Sequence, residues 1–274
     1  MWSEYYKNIA NRNIGLLNKE QQEELKGSCV AVCGVGGLGG VISEILARTG
    51  IESFKLLDNG KFEPTNLNRQ IYSFNDTNDC YKIDVTEEYL KKINPDIKIV
   101  KELEITEENV DNFLEGVDVI ALSIDSVLPV LILSRAARRL NIPLVEGWAV
   151  VFGNVRVFND QTPSVEEMYK FPTIGREISS ITEEEARKLM YQSVLSLETI
   201  DGLLEHYPES AFKRLQEKGE GTTLAPMVWM TCVMMALEVF KIILNWGKIA
   251  LAPNYAVYDG INHQIRNQQN NIDE

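Results

Sequence analysis

Residues 28–58, SCVAVCGVGGLGGVISEILARTGIESFKLLD, are the stretch that decides the fold. An apolar run typical of a buried strand is followed by a glycine-rich turn. A segment with apolar residues at helical spacing and a second apolar run come next. A strand, a helix and a strand joined at this length predict two parallel strands with a right-handed crossover.

The glycine-rich turn indicates a nucleotide site. It carries Gly34, Gly36, Gly37 and Gly39 between the strand and the helix. Backbone N–H groups and the positive end of the helix dipole can hold a phosphate there. Asp58, at the end of the second strand, completes the pattern of a dinucleotide fold, in which the carboxylate accepts from ribose hydroxyls. This motif predicts a nucleotide without specifying which one.

The segment after Asp58, NGKFEPTNLNRQI, favours a polyphosphate. It places Asn66, Arg69 and Gln70 near the strand end, and Lys82 begins the next predicted helix. A guanidinium binds two phosphate oxygens at once, and amides suit ribose or metal-bound water. Hydride transfer needs no such cluster, so an NAD-binding oxidoreductase is the alternative from another class.

The alternation of strands and helices continues to residue 159, which predicts a doubly wound, Rossmann-like α/β sheet. Within 160–222 we expect a loop over 161–180 followed by two polar helices, and we expect one strand over 254–265 near the end of the chain. The predicted segments are an N-terminal arm with a helix (1–26), a nucleotide-binding domain (27–159), an inserted helical cap (160–222), a C-terminal helix and strand that complete the fold (223–266), and a polar tail (267–274).

Charge and cysteine content narrow the function classes. Forty acidic and 27 basic residues give a net charge of −13, so the surface should repel polyanions such as nucleic acid. The four cysteines form no CxxC pair, which excludes a tetrathiolate zinc site of the usual spacing. With no apolar leader at the start, we predict a cytoplasmic protein with reduced thiols.

The stretch 226–246 is apolar and long enough to span a bilayer, but it carries Glu238 and Lys241. Two charges inside one span are costly. We therefore interpret it as a core or dimer helix and expect no membrane association.

Together these motifs resemble the ThiF/MoeB/HesA family, the adenylating half of ubiquitin-activating E1 enzymes. The resemblance rests on GVGGLGG, LLDNGKFEPTNLNRQ, Lys82 and SIDS, covers about 11–160, and resumes near Thr222 through the apolar helix and NYAVYDG. It implies a homodimeric adenylation domain using ATP and Mg²⁺. A substrate carboxylate would attack the α-phosphate and give an acyl-adenylate and pyrophosphate.

The resemblance also assigns roles to individual residues. Cations must neutralise the like charges of a carboxylate and a triphosphate, whereas no general base is needed for an acid already ionised at neutral pH. The implied roles are ribose binding for Asp58, phosphate binding for Asn66, Arg69 and Lys82, magnesium binding for Asp125, and an arginine finger toward the partner subunit's ATP for Arg12.

The sequence departs from the family at several positions. Gly60 stands where many relatives carry a second acid, and no cysteine lies between Cys80 and Cys232, where full E1 enzymes hold the thioester cysteine. The zinc-binding cysteine pairs common in the family are absent as well. We therefore predict activation without covalent capture, and an inactive binding scaffold is a further alternative.

Two substrate types are open on this interpretation. One is the C-terminal glycine of a ubiquitin-like sulfur carrier; the other is a small-molecule carboxylate, for example guanylylpyridinol in assembly of the iron-guanylylpyridinol cofactor. LARTGI followed by NRQI also resembles the tRNA threonylcarbamoyladenosine dehydratases, which activate a carboxylate on RNA. The charge of −13 argues against an RNA substrate.

Overall fold

The computed structural model describes residues 2–200, 202–219 and 221–268. The strands are β1 (Cys29–Cys33), β2 (Ser53–Leu57), β3 (Lys98–Glu102), β4 (Val119–Leu122), β5 (Leu144–Glu146), β6 (Gly153–Phe158), β7 (Tyr255–Asp259) and β8 (Gln264–Gln268). The α-helices are α1 (Glu4–Ala10), α2 (Lys19–Gly27), α3 (Gly39–Thr49), α4 (Lys82–Ile93), α5 (Val110–Leu114), α6 (Val127–Leu140), α7 (Val165–Met168), α8 (Glu183–Leu195), α9 (Glu209–Lys218) and α10 (Ala225–Ile243).

The strands form one eight-stranded sheet in the order β3-β2-β1-β4-β5-β6-β7-β8. The first five strands in this order run parallel, and β6, β7 and β8 continue the sheet antiparallel. The strand order reverses direction at β1, and open α/β sheets bind ligands at such a switch point. The predicted Rossmann-like α/β fold is confirmed.

The central strands β1, β4, β5 and β6 are buried on both faces, and β1 shows how the sequence achieves this. Cys29, Ala31 and Cys33 pack into the cluster that contains α5 and α6, whereas Val30 and Val32 pack into the cluster that contains α3 and α10. Burial raises the pKa of the Cys33 thiol, so this cysteine behaves as a small apolar residue.

The apolar stretch predicted as a core or dimer helix is α10. It packs against β6 and α3, and it is long and apolar enough to cross a membrane by length and composition alone. Its two charges are paired, with Lys241 Nζ 2.6 Å from Glu238 Oε1. The second Glu238 oxygen accepts from the Ala250 N–H at 3.2 Å. Glu238 is 4% exposed, and a charge that is both buried and paired is typical of a core helix.

The expected loop over 161–180 contains a short helix, α7. Ser164 and Glu167 form a capping box at its start: the Ser164 hydroxyl accepts from the Glu167 N–H, and the Glu167 carboxylate accepts from the Ser164 N–H. This reciprocal pair satisfies N–H groups that a helix end leaves free, which explains a helix of only 4 residues. The sequence Ser164-Val165-Glu166-Glu167 has the pattern of this capping box.

The single strand expected over 254–265 is instead a hairpin of β7 and β8. Asp259 makes the turn, because its Oδ1 accepts from the N–H groups of Ile261 and Asn262 at 3.0 Å each. Strand β8 also takes in residues 267 and 268 of the expected polar tail. The rest of that tail, 269–274, lies outside the described residues.

Candidate functional site

A cavity of about 1140 Å³ lies at the carboxyl ends of the parallel strands. Its walls come from the loops after β1, β2 and β4, the segment that holds Arg69 and Gln70, and the start of α4. These loops meet because parallel neighbours end at the same edge of a sheet. The volume exceeds the roughly 300–1,000 Å³ of a pocket for one drug-sized ligand, so it suits two ligands side by side.

Two of the predicted glycines shape the loop after β1. Gly34 has a φ of +89°, and a Cβ there would lie 2.5 Å from the carbonyl oxygen of Ser123. A Cβ on Gly39 would lie only 1.8 Å from the carbonyl oxygen of Gly34. The Ser123 hydroxyl donates to that same Gly34 oxygen at 2.8 Å, which fixes the loop against β4.

The other two glycines face the cavity with free hydrogen-bonding groups. Within the part of the chain that the structure describes, the N–H groups of Gly36 and Gly37 donate to no protein acceptor. The Gln70 side chain packs against Gly36, and its Oε1 is buried without a partner. Buried polar groups are normally satisfied, so these groups point to a polar ligand at the start of α3.

Asp58 is held by two backbone N–H groups. Its Oδ2 accepts from Val35 at 2.8 Å and its Oδ1 from Gly60 at 2.7 Å. An ionised carboxylate has about four acceptor positions, so this side chain can still accept from two ribose hydroxyls. Gly60 makes room for the side chains of Asp58 and Lys82, because a Cβ there would lie 3.0 Å from Asp58 Oδ1 and 3.1 Å from Lys82 Nζ.

The two predicted cations line the same cavity. Lys82 begins α4, where its N–H donates to the Gly60 carbonyl at 3.0 Å, and its ammonium forms no ion pair with the residues described. Arg69 lies beside the glycine loop, since a Cβ on Gly37 would be 3.7 Å from Arg69 Nε. Trp229 Nε1 donates to the Arg69 carbonyl at 2.9 Å and ties this loop to α10.

Asp125 lies on the loop after β4 and is exposed to the cavity. Across residues 2–200, 202–219 and 221–268 no group of three or more His, Cys, Asp and Glu side chains could hold a metal ion. Magnesium commonly binds through one or two carboxylates together with substrate phosphates and waters. Asp125 therefore fits a magnesium ion that binds together with a nucleotide.

Three predicted site residues do not line the cavity. Gly39 serves the close packing of α3, and the buried Asn66 accepts from the Glu63 N–H at 3.2 Å, which caps the 3-10 turn over 64–66. Arg12 lies at the opposite end of α3, because the neighbouring Asn13 donates to the Thr49 carbonyl. The 11 residues of α3 separate that end from the glycine loop by about 16 Å.

A buried polar cluster at the cavity wall was not predicted. Glu146, at the end of β5, accepts from Arg156 Nε at 2.7 Å and from the Tyr169 hydroxyl at 2.9 Å, and Trp148 Nε1 donates to that hydroxyl at 3.0 Å. Burial raises the pKa of Tyr169 well above its usual value, so the phenol stays protonated. Burial alone would lower the pKa of Arg156, but Glu146 raises it and the net shift is upward. The sequence signal that could have indicated this cluster is the arginine inside the apolar run VRVF, because an arginine is rarely buried unless it is paired.

Comparison with known proteins gives relatives of several kinds. The molybdopterin-synthase adenylyltransferase of Haemophilus influenzae is 28% identical over 260 residues, which cover 93% of this chain and 91% of that protein. The tRNA threonylcarbamoyladenosine dehydratase of Bacillus subtilis is 33% identical over 137 residues. That match covers 49% of this chain and 54% of the dehydratase, so the chain spans about half of that relative's length.

Solved structures show the same fold across almost the whole chain. Selenomethionine PaaA superposes with a TM-score of 0.71 at 21% identity, covering 98% of this chain and 84% of that one. Escherichia coli MccB with ATP superposes with a TM-score of 0.70 at 22% identity, covering 97% of this chain and 73% of that one. The ThiF family model matches residues 10–272, which confirms the resemblance carried by the glycine loop and the NLNRQ segment. This chain belongs to the ThiF family.

Proposed function

We propose that this chain adenylylates a carboxylate with ATP, giving an acyl-adenylate and pyrophosphate. The observation that carries the proposal is the gathering of Gly36, Gly37, Gln70, Arg69 and Lys82 in one cavity that suits two ligands. Two similarities support it: the Haemophilus influenzae relative is an adenylyltransferase, and the MccB structure was solved with ATP. The oxidoreductase alternative gives no role to the two cations, and the scaffold alternative gives none to the unsatisfied N–H groups of Gly36 and Gly37.

Each side chain has a role that follows from its position. The N–H groups of Gly36 and Gly37 bind phosphate oxygens, and Asp58 accepts from the ribose hydroxyls. Arg69 and Lys82 neutralise the phosphates, so that an anionic carboxylate approaches the α-phosphate and charge on the departing pyrophosphate is stabilised. Asp125 would hold magnesium, which adds further neutralisation when bound.

Replacement of Lys82 by alanine tests this proposal. We expect the rate of ATP–pyrophosphate exchange with an accepted acid to fall by roughly 10²–10³-fold, the usual effect of removing one preorganised charge from a transition state. Asp125→Ala should give a loss of similar order. The measurement is exchange of labelled pyrophosphate into ATP, combined with calorimetric binding of ATP.

Lys92→Ala is the matched control, because Lys92 lies on the same helix but pairs with Glu88 at 2.7 Å, away from the cavity. Its exchange rate should equal that of the unmodified chain. Protection by NAD instead of ATP, with no pyrophosphate exchange, would establish the oxidoreductase alternative. No nucleotide binding at all would establish the scaffold.

We infer that the chain works as a homodimer. Trp229, Val233 and Leu237 lie four residues apart on α10 and are 40%, 55% and 53% exposed, which forms an apolar stripe on the side away from the sheet. Arg12 is exposed and about 16 Å from its own glycine loop. A second copy would cover the stripe and would supply Arg12, which does not reach the cavity within one chain.

A charge on the stripe should separate the subunits. We expect Val233→Glu combined with Leu237→Glu to yield a monomer in sedimentation velocity, because burying two carboxylates in an apolar interface is costly. The control is Leu140→Glu, which places a charge on the 39% exposed Leu140 of α6. An unchanged dimer in the double variant would place the interface elsewhere.

A further inference from the structure

The part of the cavity below the cap differs in character from the glycine loop. We name this part the cap compartment. It is lined by Trp148, Tyr169, Phe171, Leu204, Tyr207 and Phe212, the last five from segment 160–222. Aromatic and aliphatic walls of this kind bind an apolar ligand body. A terminal glycine has no side chain, so it would leave the compartment unfilled.

The charges that line the cavity also favour an uncharged ligand in the cap compartment. Among the described lining residues the basic ones are Arg69 and Lys82, and both lie at the nucleotide end. Glu146 and Glu183 line the cavity as well, and they belong to β5 and to α8 of the cap segment. A phosphate or another anion on the acyl substrate would find no opposite charge there, and burying an unpaired charge is costly.

Glu146 gives the compartment one fixed acceptor. Arg156 Nε donates to Oε2, and the Tyr169 hydroxyl lies 2.9 Å from both carboxylate oxygens. That hydroxyl carries a single hydrogen, so Oε1 can accept from a further donor. Arg156 is 1% exposed and is held by three aromatic rings, with Tyr255 at 4.3 Å, so it cannot turn away.

The ion pair also determines which kind of donor fits. Arg156 balances the charge of Glu146, so the pair presents an acceptor atom without net negative charge. A cationic substrate group would gain little attraction at this wall and would lose its hydration. A hydroxyl or another neutral N–H or O–H donor loses less on burial and matches Oε1.

We propose that the cap compartment selects an acyl substrate with an uncharged, apolar body that donates a neutral hydrogen bond to Glu146. This proposal rests on the proposed adenylylation. The C-terminal residue of a peptide and a free small carboxylic acid share this chemistry. A carrier ending in glycine and acids that carry phosphate do not.

A set of matched acids tests the selection by pyrophosphate exchange. Peptides of one sequence would end in Tyr, Phe, phosphotyrosine or Gly, and the N-acetylated amino acids would be tested as free acids. We expect kcat/KM for the Tyr acid to exceed that for the Gly and phosphotyrosine acids at least tenfold, and that for the Phe acid several-fold. Activity with the peptides alone would identify a peptide terminus, and activity with the free acids would identify a small molecule.

The variant Glu146→Leu/Arg156→Met removes the acceptor without leaving a buried charge unpaired. The preference for Tyr over Phe should disappear in this variant, while calorimetric ATP binding stays within error and the variant still unfolds in a single cooperative transition. Persistence of that preference would overturn the role of Glu146.

Calorimetric ATP binding to the unmodified chain separates failure of this inference from failure of the proposed function. ATP binding with exchange only for the Gly-ended or phosphotyrosine acids, or with no acid at all, would overturn the selection by the cap compartment. Absence of ATP binding would overturn the adenylylation itself, and the selection with it.

Discussion

Alanine at Arg12 should reduce pyrophosphate exchange by about 10³-fold or more while ATP still binds. Arginine fingers contribute about 10³–10⁵ to phosphoryl-transfer rates, because they add charge only where the transition state develops it. In one chain Arg12 lies beyond the far end of α3 and does not line the cavity. The loss is therefore expected only if a partner subunit supplies the side chain.

Mixing two inactive variants distinguishes supply by the partner from supply within the chain. Subunits carrying Arg12→Ala keep Lys82, and subunits carrying Lys82→Ala keep Arg12. A mixed dimer then contains one complete site, so random exchange of subunits should restore about a quarter of the original activity in a symmetric dimer. No recovery would place Arg12 within its own site or outside the reaction.

Lys7→Ala is the control for both experiments. Lys7 is an exposed cation of α1 that pairs with Glu4 at 3.7 Å, close to Arg12 in sequence. Its loss should leave exchange unchanged. A general dependence on positive charge in the N-terminal arm would show the same loss for Lys7→Ala as for Arg12→Ala.

The nucleotide half of the cavity was predictable from the sequence because its signals are local. The glycine loop, Asp58 and Lys82 each follow or begin a regular element, and parallel neighbours bring their ends together. Arg69 and Gln70 follow within one loop of the same strand. The roles of these side chains toward a nucleotide stay predictions, while their meeting in one cavity is observed.

The cap compartment could not be predicted from the sequence, because it depends on long-range pairing that no local pattern encodes. Glu146 and Arg156 are ten residues apart and meet only through the antiparallel register of β5 and β6. Tyr169 joins them from segment 160–222, whose path over the sheet is set by tertiary contacts. Asn66 does not line the cavity, because its amide caps the turn over 64–66, and residue type alone does not distinguish that use from phosphate binding.

Two short elements, the hairpin of β7 and β8 and the helix α7, were missed in the sequence for a different reason. Both had sequence signals, Asp259-Gly260 for the turn and Ser164 with Glu167 for the cap. Each element is 4 or 5 residues long, and hydrophobic periodicity is weak over so few positions. Side-chain bonds to the backbone decided the structure at these two places.

Replacement of Gly39 by alanine should nearly unfold the protein. The added Cβ would lie 1.8 Å from the Gly34 carbonyl oxygen and 2.9 Å from Ser123 Oγ. Neither can retreat easily, because that oxygen accepts from Ser123 at 2.8 Å and Gly34 already has a φ of +89°. We expect the free energy of unfolding to fall by at least about 4 kcal/mol, a large part of the usual 5–15 kcal/mol of a domain.

Urea denaturation followed by circular dichroism measures this loss, and two other glycines provide the comparison. A Cβ on Gly40, the next residue of α3, has its nearest neighbour at 3.4 Å, and a Cβ on Gly27 of α2 meets nothing within 4 Å. Gly27, the exposed last residue of α2, should accept alanine with a stabilisation of at most about 0.5–1 kcal/mol, because alanine loses less backbone entropy on folding. Gly40→Ala should change stability far less than Gly39→Ala. Equal losses at Gly39 and Gly40 would mean that α3 does not pack against the loop at the observed distance. A loss confined to Gly39 would show that this glycine serves the backbone of the loop and not the phosphate it was predicted to bind.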